Sequence, residues 1–64
     1  MSAVQDYMIY QIISKNNGKA TKKEILDALA KNEEAKRLVE EKLLMMERFG
    51  LISIEGDVVT LKKR

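Results

Sequence analysis

The chain has 64 residues, 34% of them charged, a formal net charge of +2, and no histidine, cysteine or proline. That length fits one small domain with a modest core and little room for a cleft with its own supporting shell. Without histidine or cysteine there are no disulfides, no thiolate zinc site and none of the commonest general base, so no enzyme activity, metal or cofactor is expected.

The positive charge is unevenly placed. Lys62, Lys63 and Arg64 form a basic tail, and residues 1–61 hold nine basic against ten acidic residues, a net of −1. Met1 to Ile13 has no basic leader and is broken by Gln5, Asp6 and Gln11, which is not the pattern of a signal peptide. No run approaches the roughly 20 apolar residues of a membrane span. A soluble, cytoplasmic chain without a membrane partner is expected, as one domain over residues 1–64.

Residues 3–14 read as a first helix. Val4, Tyr7, Met8 and Ile12 share one side, and Ile9 and Ile13 widen it. So broad an apolar arc suits a central helix touched by both other helices and by the hairpin. It equally suits a helix that adds to a dimer or partner surface, and Tyr7 and Tyr10 serve either, since tyrosine packs well and keeps a polar end. Asn16, Asn17 and Gly18 end the helix, because asparagine and glycine tolerate positive φ. Lys19 and Ala20 form a short extended link, long enough for a minimal third strand.

Thr21 opens a second helix, and Thr21 with Glu24 fits the capping-box spacing. Ile25, Leu26 and Leu29 make its inner face, with Ala28 allowing close approach. Lys22 and Lys23 lie in the first turn, against the helix dipole. They serve either solubility or a phosphate contact, since a helix N-terminus and two lysines together attract anions.

After Lys31, Asn32 caps a third helix that runs to Phe49. Its buried face is Ala35, Val39, Leu43 and Met46, and Glu33 and Glu34 suit the dipole of its first turn. Gly50 stands where a left-handed residue ends the helix. Two β-prone runs follow, Leu51 to Ile54 and Val58 to Leu61, around a turn at Glu55, Gly56 and Asp57. Ser53 and Thr60 are expected to face outward.

The run Met46-Glu47-Arg48-Phe49-Gly50-Leu51-Ile52, followed by a strand, a glycine turn and a strand, resembles the winged-helix (winged helix-turn-helix) family. Val39, Leu43 and Met46 match the core positions of that family's recognition helix, and Ile25 and Leu29 those of the helix before it. The resemblance spans about residues 4–61 and implies an α+β fold, a three-helix bundle with a C-terminal two-stranded β-hairpin. In its compactness the chain is similar to small regulators and accessory proteins of archaea and their viruses.

In DNA-binding members of the family the third helix enters the major groove and the hairpin touches the neighbouring backbone. The resemblance therefore implies a small DNA-binding protein, a transcription regulator, holding duplex phosphates through Lys22, Lys23, Lys36, Arg37, Lys62, Lys63 and Arg64. A homodimer would double that footprint. At 100° per residue, Lys36, Arg37, Glu40, Leu44, Glu47 and Arg48 share an arc of about 120°. That arc mixes both signs of charge, and Glu55 and Asp57 make the hairpin tip acidic.

Those departures suit the alternative, a protein-protein interaction module acting as an accessory subunit of a larger nucleic-acid-processing or regulatory complex. Its interface would use Leu38, Leu44, Met45, Phe49 and Tyr10. Lys42, set among apolar neighbours, is expected to lay its stem along them. No small-molecule ligand is indicated.

Overall fold

Local signals set the helix ends in the computed structural model, which describes residues 4–62. The elements run α1 (Asp6–Lys15), β1 (Lys19–Thr21), α2 (Lys22–Leu29), α3 (Glu33–Arg48), β2 (Ile52–Glu55) and β3 (Val58–Leu61). At the start of α2 the Thr21 hydroxyl accepts from the Glu24 amide at 3.1 Å, while the Glu24 carboxylate accepts from the Thr21 amide at 3.0 Å. Each group satisfies an amide that the helix itself leaves open. At the start of α3 the Asn32 side chain accepts from the Ala35 amide at 2.8 Å.

Two helices end in the same way. After α3, Gly50 adopts φ +80°, its amide donates to the Glu47 carbonyl, and the Leu51 amide donates to that of Met46. After α1, Asn17 takes φ +63°, and the Asn17 and Gly18 amides donate to Ser14 and Ile13. Both are Schellman motifs, which cap the last carbonyls and turn the chain sharply.

The strands form one antiparallel sheet in the order β1-β3-β2. The third strand at Lys19–Thr21 makes this a three-stranded sheet rather than an isolated two-stranded hairpin. Glu55 pairs with Val58, so the hairpin loop is only Gly56-Asp57. Gly56 has φ +61°, which suits the first position of a two-residue hairpin turn. The register puts Ala20, Val59 and Ile54 side by side, with Leu61 beside Ile52. These residues face the helices, and Lys19, Thr60 and Ser53 line up on the opposite face, as alternation requires.

The core takes residues from every element: Ile9, Ile13, Ala20, Ile25, Val39, Leu43, Met46, Ile52 and Val59, joined by Val4 ahead of α1. Among the described residues none of the buried ones is polar. Several sequence expectations need correction. The first helix begins at Asp6 rather than residue 3, and α3 closes at Arg48, with Phe49 as its cap. Ile9 and Ile13 are the centre of α1's buried face, not its margin, and Tyr7 is 60% exposed. The reason is that α1 packs on β3, β1 and α2, which meet the Ile9 and Ile13 side. Ala28 is exposed.

Candidate functional site

The Lys22 amide donates to the Asp57 carbonyl at 2.8 Å, which docks the hairpin turn against the first residue of α2. That bond brings the acidic tip of the hairpin to the place where α2 and α3 begin. Lys22 and Lys23 from α2, Lys31 from the α2–α3 connection and Lys36 from α3 line one open hollow there. Asp27, Glu33, Glu40 and Asp57 line the same hollow, four carboxylates among four lysines. The formal charge of this surface is therefore zero. Lys23 is already engaged, with its ammonium 3.4 Å from the Asp27 carboxylate on an exposed helix face; such pairs contribute little to stability.

Three of the sequence-predicted basic residues, Lys22, Lys23 and Lys36, thus come together. Arg37 does not join them, since its position one residue on from Lys36 turns it about 100° around α3. Lys62 lies at the other end of β3, about 16 Å along an extended strand from Asp57, beside Tyr10, Gly18, Lys19 and Leu61. Lys63 and Arg64 fall outside the described residues. Lys31 was missed by the sequence reading. Its place in a three-residue connection after α2 was the available signal, because so short a link keeps its side chain beside both helices.

The apolar candidates lie elsewhere. Leu38, Leu44 and Met45 of α3, Phe49 at its cap and Tyr10 of α1 are all exposed, Phe49 the most at 68% and Leu44 at 61%. Leu44 and Met45 border a shallow hollow with Glu41, Glu47 and Arg48. Sequence reasoning missed Leu51 as a surface residue. Leu51 looked like the first strand residue, but it belongs to the Schellman turn and stays exposed. Lys42 is half-buried, and its ammonium reaches the Asp6 carboxylate on α1 at 3.0 Å.

No group of three or more histidine, cysteine or carboxylate side chains that could hold a metal occurs among the described residues. No helix among them is long and apolar enough to cross a membrane. No family model matches the chain, and no curated protein or solved structure is significantly similar to it.

Proposed function

We propose that this chain is a small, cytoplasmic double-stranded-DNA-binding protein of winged helix-turn-helix type, acting as a transcription regulator. The observation that carries the reading is the gathering of Lys22, Lys23, Lys31 and Lys36 on the face built by α2, its connection to α3, and the start of α3. Lysines act on phosphates as mobile point charges. Glu40 lies beside them on α3, and Arg37 and Leu44, further around that helix, complete the face that would meet base edges, where a glutamate accepts from the amino group of cytosine. The interspersed carboxylates keep the affinity of one protomer modest.

A duplex titration at two salt concentrations tests the reading. With about three phosphate contacts, the logarithm of the affinity falls with a slope of roughly −3 against the logarithm of salt. Replacing Lys22 and Lys36 together by alanine should lower the slope by about two. An absence of binding at low salt defeats the proposal. So does binding that disappears on removing Lys62 to Arg64 alone, which is attraction by the tail without a docking face.

A second reading, an accessory module that binds protein, is favoured by the equal numbers of lysines and carboxylates in the hollow and by the exposed Leu44, Met45 and Phe49. Its partner would be a subunit of a nucleic-acid-processing or regulatory complex.

A further inference from the structure

Leu38, Met45 and Phe49 stand seven and four residues apart on one strip of α3, well to the side of Lys36 and Glu40. The Asp6–Lys42 ion pair ties the start of α1 to the middle of this strip. Tyr10, one turn further along α1, lines a hollow with Leu61 and Lys62, and the Lys62 amide donates to the Leu51 carbonyl. Tyr7, Tyr10, Leu38, Met45, Phe49 and Leu51 therefore border one seam, and every one of them is exposed.

Three of the six are aromatic, and a fully buried aromatic side chain covers about 150–250 Å². At their fractional exposures the six present on the order of 500 Å². That is near the upper range for the largest apolar patch of a stable monomer. It is also most of the roughly 800 Å² that each partner contributes to a standard interface. The aliphatic stems of Lys42 and Arg48 can supply much of the remainder.

We propose that a second copy of this chain covers the seam, with the two α3 helices antiparallel about a two-fold axis. Charge selects this occupant and this direction. Glu34 lies in the first turn of α3 and Arg48 in the last, about 21 Å apart along the axis. An antiparallel copy sets Glu34 against Arg48 of the other chain at both ends of the contact. The same register brings Leu38 beside Leu44 and Met45 of the other chain and places Glu41 on the two-fold axis. A parallel pair would place Glu34 against Glu34 and Arg48 against Arg48. A surface complementary to itself under a two-fold is what a symmetric dimer requires. The inference is independent of DNA binding, because the strip lies apart from the lysine hollow.

Sedimentation of the full chain in the absence of DNA, across a range of concentrations, provides the test. A concentration-dependent dimer is expected, and Met45→Glu should leave a monomer whose circular dichroism matches the parent. Phe49→Lys serves the same purpose should Met45→Glu unfold. At low salt Glu34→Arg and Arg48→Glu should each weaken dimerisation about tenfold, because each reversal alters two symmetry-related pairs. The double variant should return to within about threefold of the parent. A chain that stays monomeric at every concentration overturns the proposal, as does a dimer indifferent to both Met45→Glu and Phe49→Lys. Failure of the double variant to recover overturns the antiparallel register.

Discussion

The Lys42 ammonium lies 3.0 Å from the Asp6 carboxylate, and this is an ion pair that joins α3 to α1. Lys42 sits on the margin of α3's buried face, so its stem runs along apolar neighbours and its charge emerges where α1 begins. Asp6 is also the first residue of α1, where a carboxylate opposes the positive end of the helix. The Lys42 side chain is 33% exposed and that of Asp6 is 64% exposed, so solvent screens much of the attraction. Asp6→Asn should cost no more than about 1 kcal/mol, dipole contribution included. Urea unfolding of parent and variant should show that difference shrink in 1 M salt. A difference that persists at high salt would assign the loss to packing instead.

Gly50 carries a larger and purely conformational contribution. A Cβ built there meets nothing within 4 Å, yet φ is +80°. Gly50→Ala therefore creates no clash with a neighbour and reports only the left-handed backbone, a penalty of about 1–2 kcal/mol. The variant should keep the same urea dependence with an earlier midpoint, since the surface exposed on unfolding is unchanged. An unchanged midpoint would mean that the turn after α3 relaxes at no cost.

The helix ends were legible because each is written within a few residues: Thr21 with Glu24, Asn32 with Ala35, and Gly50 after Phe49. The interior of α1 was not. Seven of the ten residues from Val4 to Ile13 are apolar, so periodicity alone does not select a face, and the choice falls to β3 packing from far along the chain. β1 has three residues, too few for alternation to show. The basic candidates could be picked out one by one, but their neighbours could not. Asp57 enters the lysine hollow through the backbone bond from Lys22, a contact between residues 35 positions apart that no local spacing announces. Neutralisation of the site by its own carboxylates is in this sense a tertiary property.

The corrected face of α1 has a measurable consequence. Ile9 is fully buried and Tyr7 is 60% exposed, although they stand two residues apart. Ile9→Ala should cost about 2–5 kcal/mol. A chain of this size has only about 3–10 kcal/mol in total, so a substantial unfolded fraction at 37 °C is expected. Tyr7→Ser should stay within about 0.5 kcal/mol of the parent when measured on the monomer. Thermal unfolding by circular dichroism, at a concentration low enough to avoid association, separates the two. Equal losses would return Tyr7 to the core.

The mixed charge of the lysine hollow makes the DNA reading testable in the direction of gain. Glu33 and Glu40 line it beside Lys36, and a carboxylate held near a phosphate backbone repels it over about one Debye length. Replacing both with glutamine keeps side-chain length and helix propensity while removing two negative charges. Duplex affinity at low salt should rise about three- to tenfold, with the gain fading as salt increases. The gain should also be lost when Lys22 and Lys36 are replaced in the same chain, because the contacts being relieved are theirs. Fluorescence anisotropy with a labelled duplex measures both effects. An affinity that falls instead would show the glutamates to be contacts to bases, with cytosine at the matching positions as the sequence to try. No change at all would place the duplex, if it binds, on another face of the molecule.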